Sequence, residues 1–266
     1  MSFQHFYENS ELIAFSIFGL DVRYYGICYA VALLLSLWIA KVHGKKMGFS
    51  SKLLDSYFIY IEIGVVLGAR FGYIAFYDPE WAFYLYQPWQ AFNPYRNGVF
   101  VGISGLSFHG AVIGFFAATA IFCRRKRQDP WPLLDLVALS VPLGYMFGRF
   151  GNFLNHELFG RETTVPWGIY VEGVLRHPSQ LYEAFAEGFL LYLIIFALYK
   201  YKKRVNGELI AFYGIFYSLA RFVCEYWREA DVQIGYLAFG LSLGQLLSLA
   251  MGLAGVILYV YRRAKA

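Results

Sequence analysis

The sequence predicts an all-α, polytopic membrane protein with about seven transmembrane helices, its N-terminus periplasmic and its C-terminus cytoplasmic. Three observations predict it. Hydrophobic residues make up 59% of the chain and charged residues only 15%, well below the ~25% charged of an ordinary soluble domain. Apolar stretches of about 20 residues, enough to cross a ~30 Å hydrocarbon core as a helix, recur along the whole length. Basic residues collect in alternate connections, as they do in a chain that crosses a bilayer repeatedly.

The elements follow in order. Residues 1–23 form an outer-face arm. No basic run precedes its apolar residues, so it does not read as a signal peptide, and 11–20 is too short to span and is expected in the outer interface. The first span, 24–41, ends on Lys41, Lys45, Lys46 and Lys52. The second, 54–77, leads into an aromatic connection with Trp81, Tyr84, Tyr86, Trp89 and Tyr95, the composition of an interfacial belt. The third, 101–122, ends on Arg124, Arg125, Lys126 and Arg127, and the fourth, 133–155, opens into a long connection to 179. The fifth, 180–199, is followed by Lys200, Lys202, Lys203 and Arg204. The sixth and seventh, 208–227 and 238–260, lead to Arg262, Arg263 and Lys265. By the positive-inside rule the four basic clusters are cytoplasmic, so the number of crossings is odd. With no internal repeat and no soluble-sized loop, residues 1–266 read as one transmembrane domain. The net charge of +5 records this topology and calls for no nucleic-acid partner.

Several chemistries find no support. Cys28, Cys123 and Cys224 lack metal-ligand spacing and form no disulfide framework, so buried inert thiols are expected. Zinc His-x-Glu patterns, a phosphate-binding glycine loop and a Gly-x-Ser-x-Gly elbow are missing. No cofactor or metal is implied.

What stands out is polar residues inside the spans. Arginine in hydrocarbon is costly and is kept for an anionic ligand, a partner charge or a wet cavity. Asn152 and Glu157 follow Arg149 by three and eight residues, near one face of a continuing helix, with Asn155 beside them. Helical rise puts Arg149 and Arg70 roughly 24 Å, and Arg221 roughly 20 Å, from the cytoplasmic starts of their spans, hence in the outer half. Tyr25 with Gly26 and His109 open spans that run the other way and fall at the same level. Structural alternatives stand beside this. Arg70 can snorkel, Arg221 can pair with Glu225 four residues on, and His109 can bond a neighbouring helix. Glu62, about 12 Å into its span, lies outside the level and reads as structural. Guanidiniums at this depth can hold a phosphate through bidentate hydrogen bonds, and a histidine can take a proton near neutral pH. The residues point to an enzyme or carrier for an anionic phospholipid, reached from the outer side, and do not choose the reaction.

The stretch 148–160, Gly-Arg-Phe-Gly-Asn-Phe-Leu-Asn-His-Glu-Leu-Phe-Gly, closely resembles the signature of the bacterial prolipoprotein diacylglyceryl transferases. Residues 25–26, 68–73, 107–110, 176–183 and 221–228 resemble further blocks of that family in its order, so the resemblance covers essentially the whole chain. One departure is Ala111, where the histidine block usually carries a second glycine; it bears on fine geometry and removes no functional group. The resemblance implies transfer of the diacylglyceryl group of phosphatidylglycerol to the lipobox cysteine of prolipoproteins, in the bacterial inner membrane, by a monomer whose active site faces outward.

It also implies roles. Arg149 would bind the phosphate, with Asn152, Asn155 and Glu157 holding the headgroup and ordering the loop to Gly160. Arg221, steered by Glu225, would stabilise the leaving phosphate or orient the second substrate, and His109 would take the thiol proton with Tyr25 as a hydrogen-bonding helper. Arg70, Arg228 and Tyr217, one turn before Arg221, are further candidates for substrate contact; His177 either touches substrate or fixes its loop. The rivals are an anionic-lipid transporter or flippase, which shares intramembrane arginines but calls for a repeat that is not seen, and a seven-span receptor, for which no signalling motif is found.

Overall fold

The computed structural model describes residues 7, 12–17, 20–96, 98–100, 102, 105–201, 204–229, 237 and 240–265. Most of the arm at 1–11, Lys202 and Lys203, and most of the connection at 228–237 lie outside the described residues. Among the described residues, seven helices overlap the predicted spans: α1 Tyr24–Lys46, α2 Ser51–Phe76, α3 Phe108–Lys126, α4 Pro130–Leu154, α5 Ser179–Tyr201, α6 Glu208–Cys224 and α7 Leu243–Ala264. Five of them (α1, α2, α4, α5 and α7) are long and apolar enough to cross a membrane. α6 is shorter, at 17 residues, and α3 ends on Arg124, Arg125 and Lys126. Short helices at Phe83–Tyr86 and Pro88–Phe92 and three antiparallel hairpins are also described: β1 Ile13–Ile17 with β2 Leu20–Arg23, β3 Tyr95–Arg96 with β4 Val99–Phe100, and β5 Ile169–Val171 with β6 Val174–Arg176.

The third helix begins seven residues later than its hydropathy suggests. Gly102 and Gly105 sit at φ 73° and 75°, a left-handed backbone that a helix does not tolerate, and Ser107 then caps the helix by accepting from Gly110 N at 3.2 Å. Hydropathy counts 101–107 as span because it is blind to dihedral angles. The consequence is that His109 lies in the first turn of α3 rather than two turns inside it.

The chain forms two compact units, residues 1–47 with 131–266, and residues 48–130. In the first, α4 supplies the core: Leu133, Leu136, Leu139 and Phe153 are among its fully buried side chains. Asp135 on α4 accepts from the amides of Gly207 (2.8 Å) and Ile210 (3.0 Å). It so caps α6, whose first N–H groups have no partner of their own. At the other end of the unit, Ser242 and Gln245 form a capping box that starts α7.

The second unit is held by backbone-to-backbone contact between α2 and α3. Gly64, Gly68 and Gly72 recur every four residues, so they line one face of α2, and they meet Gly110 and Gly114. A Cβ on Gly68 would lie 2.8 Å from the Cα of Gly114, and one on Gly72 would lie 2.7 Å from the Cα of Gly110. Small residues at this spacing let helices approach closely where no hydrophobic effect drives them together. Tyr57 and Thr119 add a buried hydroxyl–hydroxyl bond at 2.9 Å. Gly68→Val should therefore force the two helices apart and lower stability by roughly 1–3 kcal/mol, read as thermal unfolding of the detergent-solubilised protein. Gly26, with nothing within 4 Å of a Cβ, serves as control: Gly26→Ala should leave the transition in place.

Candidate active site

The site is built from the ends of α4, α5 and α6 and the connection between α4 and α5. On α4, Tyr145, Arg149 and Asn152 follow at four and three residues and so share a face. On α5, Glu183 and Glu187 do the same. The segment Ala184–Leu190 between and beyond them is a π-helical turn, an i→i+5 arrangement found often at functional sites. On α6, Tyr217 and Arg221 are one turn apart, and Glu225 caps the helix end.

These residues converge on one carboxylate. Glu183 meets Arg149 Nε at 2.8 Å, Arg221 Nη1 at 3.1 Å and Arg228 Nη1 at 3.3 Å. Glu187 lies 3.6 Å from Arg221 Nη1 and accepts from the Tyr145 hydroxyl. Glu225 holds Arg221 Nη2 at 2.6 Å and accepts from Ser242 Oγ at 3.1 Å. Gly244 makes room for it, since a Cβ there would lie 2.6 Å from Glu225 Oε1. Three guanidiniums thus sit on three carboxylates, a charge balance that burial requires. Exposure separates the two signs: Arg149, Arg221 and Arg228 keep 15–17% of their side chains accessible, Glu183 1%. The carboxylates lie behind, and the cations form the face presented to a ligand.

Arg149 keeps part of its guanidinium free for chemistry. Its Nε donates to Tyr145 Oη at 2.7 Å and pairs ionically with Glu183 at 2.8 Å, and its Nη1 donates to Asn152 Oδ1 at 3.4 Å, which leaves Nη2 and its two protons for an anion. Asn152 Nδ2 in turn donates to Glu157 Oε1 at 2.7 Å. The loop carrying Glu157 is strained. His156 and Leu158 on either side have φ of 55° and 58°, each costing on the order of 1–3 kcal/mol for a non-glycine residue. α5 holds the loop there, Gln180 Nε2 donating to Glu157 O and Ser179 Oγ to Leu158 O. Asn155 presents a buried Oδ1 without a hydrogen-bond partner. Tyr25 packs on the same stretch, its Cδ2 3.3 Å from where a Cβ on Gly151 would stand.

Gly160 lies where two segments press on it. Its amide donates to His177 O at 2.9 Å, and a Cβ would stand 2.7 Å from His177 Cβ and 2.8 Å from His177 O. No other residue type fits. Arg161 ties the same loop to the end of α6, its Nε donating to Arg228 O at 2.8 Å and its Nη2 to Glu225 O at 3.3 Å. His177 bonds Tyr182 Oη through Nδ1 at 3.1 Å, and burial lowers its pKa; its contacts fit the loop-fixing role.

Arg70 and His109 belong to the other unit and have partners there. Arg70 is buried, donates to the carbonyls of Ala91 and Gly105 (2.5 and 3.0 Å) and to Tyr84 Oη (3.4 Å), and lies over the rings of Tyr73 and Tyr84. It staples the connection between α2 and α3. His109 is exposed, with Nδ1 3.5 Å from Tyr77 Oη. Sequence reasoning named Arg149, Asn152, Glu157, Tyr217, Arg221, Glu225 and Arg228, which this unit brings together. It passed over Tyr145, Glu183 and Glu187. The two glutamates carried a signal, being the acidic residues of the fifth span at i,i+4 spacing; Tyr145 carried none beyond standing one turn before Arg149.

If Glu183 is the common anchor, Glu183→Gln leaves three partly buried cations short of a counter-charge and should cost on the order of 3 kcal/mol in unfolding free energy. Glu229, 51% exposed in its 2.7 Å pair with Arg176, gives the comparison: Glu229→Gln should cost under about 1 kcal/mol. Equal losses would remove Glu183 from its central place.

Residues 12–261 match the family described as prolipoprotein diacylglyceryl transferase. A phosphatidylglycerol–prolipoprotein diacylglyceryl transferase of Campylobacter lari is 60% identical over 262 residues, covering 98% of this chain and 96% of the relative. A protein of the same description from Campylobacter jejuni is 58% identical over 97% of this chain and 95% of its own length. One from Campylobacter curvus is 54% identical over 96% and 95%. The chain belongs to the prolipoprotein diacylglyceryl transferase family.

Proposed function

We propose that this chain transfers the diacylglyceryl group of phosphatidylglycerol to the thiol of a lipobox cysteine in prolipoproteins, the first step of lipoprotein maturation. The observation that carries the reading is the array of three part-exposed guanidiniums seated on buried carboxylates, in a chain of this family. The cysteine sulfur attacks the glycerol carbon that bears the phosphate ester. A C–S bond forms, the C–O bond breaks, and glycerol phosphate leaves with the electron pair. Negative charge grows on the departing phosphate, so fixed cations aimed at it are the main requirement. Arg149 holds the phosphate through Nη2, while Asn152, Asn155 and Glu157 receive the glycerol headgroup. Arg221 and Arg228 add positive potential beside them.

The second requirement is a thiolate, because the neutral thiol (pKa about 8.5) is a poor nucleophile. His109 is assigned as acceptor of that proton and Tyr25 as its hydrogen-bonding helper. The chain works as a monomer and a single domain in the bacterial inner membrane, without a cofactor or nucleic acid. It crosses seven times, with the N-terminus and the site toward the periplasm. The four basic clusters and the outward arrival of exported preproteins support this orientation.

Purified protein incubated with labelled phosphatidylglycerol and a lipobox peptide should place label on the peptide cysteine; a lipid carrier would leave the peptide unlabelled. Arg149→Ala should abolish labelling while the unfolding transition persists, and retained labelling would sink the phosphate clamp. His109→Gln should slow thioether formation by about 10²-fold or more, the usual contribution of a general base. Near-normal turnover would withdraw the base assignment and leave the arginines to lower the thiol pKa themselves.

A further inference from the structure

We propose that Tyr145 is a positioning residue for Arg149, setting the direction in which that guanidinium presents its remaining donors to the substrate phosphate. The inference rests on the reading of Arg149 given above and adds to it a residue that touches no substrate. Tyr145 stands one turn before Arg149, and its ring centroid is 5.0 Å from the guanidinium carbon. Its hydroxyl is a relay: it accepts from Arg149 Nε at 2.7 Å and donates to Glu187. Glu187 lies 3.6 Å from Arg221. Tyr217 braces the ring edge-on, with centroids 5.9 Å apart at 89°.

Two anchors therefore hold Nε of Arg149, the neutral Tyr145 hydroxyl through a hydrogen bond at 2.7 Å and the charged Glu183 through an ion pair at 2.8 Å. One anchor fixes a distance; two fix the plane. With both in place Nη2 has no partner among the described residues. Without the hydroxyl, Arg149 keeps its charge, its Glu183 pair and the long 3.4 Å bond to Asn152 but loses the hydrogen bond that aims Nε, and Glu187 loses its donor.

Arg149 stays ionised without the hydroxyl, so its attraction for the singly charged phosphate of the bound lipid is kept. Orientation matters most where charge develops on the leaving oxygen. Loss of the hydroxyl should thus appear in kcat and not in KM. Glu187 reaches Arg149 through that hydroxyl, so changes at the two positions should not multiply.

The test measures transfer from phosphatidylglycerol to a lipobox peptide in proteoliposomes, with kcat expressed per phosphatidylglycerol-binding site so that misfolded protein is not counted. Tyr145→Phe should lower kcat about 10- to 100-fold, the scale of a mis-set reacting geometry, with KM for phosphatidylglycerol within about 2-fold. Adding Glu187→Gln to Tyr145→Phe should lower kcat by less than about 2-fold more, while Glu187→Gln alone should cost clearly more than that. Should the phenylalanine variant not fold, Tyr145→Met also lacks the hydroxyl and carries the same expectation. A kcat within 2-fold of the parent, a rise in KM that matches the fall in kcat, or fully multiplicative losses would overturn the role. A parent protein that leaves the peptide unlabelled would instead overturn the functional reading itself.

Discussion

A buried carboxylate shared by three arginines is the constraint around which the larger unit is organised. Neither sign could be placed there alone: an unpaired ion inside an apolar bundle costs several kcal/mol, and removing one partner strands the others. Glu183, 1% exposed, therefore dictates where α4, α6 and the turn after α6 must come, because each brings it a guanidinium. The π-helical turn Ala184–Leu190 serves the same end. Its wider winding brings residues four apart closer to a single line, so Glu183 and Glu187 both address Arg221.

The arrangement also explains how a layer of guanidiniums is tolerated inside an apolar bundle. Counter-charge is supplied from behind, leaving the cluster near neutrality while its exposed layer is all guanidinium. Such a site needs little reorganisation when a phosphate arrives, which is the property that makes fixed dipoles and charges effective in catalysis. The loop at 155–158 shows the cost of that readiness. Two non-glycine residues are held left-handed so that Glu157 can meet Asn152 at 2.7 Å, and α5 supplies the hydrogen bonds that keep them there.

Much of this was legible in the residues, for one physical reason: charge inside an apolar stretch is conspicuous. Arg149, Arg221 and the Glu225 pairing were readable that way, and the pairing stands at 2.6 Å. Glu183 and Glu187 obeyed the same rule, yet a search for an anion site weighs cations and overlooks the carboxylates that hold them. Arg70 was equally conspicuous, but its partners are backbone carbonyls, which leave no trace in a sequence. Tyr145 is one of 23 tyrosines and only geometry singles it out. The start of α3 was misplaced because Gly102 and Gly105 act through dihedral angles, whereas hydropathy registers composition.

The contacts divide the labour between the two central arginines. Arg221 has both terminal nitrogens turned to carboxylates, Nη1 to Glu183 and Glu187 and Nη2 to Glu225. A phosphate seeking a bidentate grip on it would have to displace Glu225, which Ser242 secures from the start of α7. Arg149 is anchored by its Nε side and by Asn152, and its Nη2 has no partner among the described residues. On the proposed reading, then, Arg149 is the fork that takes hold of the lipid phosphate. Arg221 contributes through its field, a term that strengthens as charge accumulates on the leaving group and that a low-dielectric site screens poorly. Holding the lipid and driving off its phosphate become separate tasks of two residues, joined through Glu183.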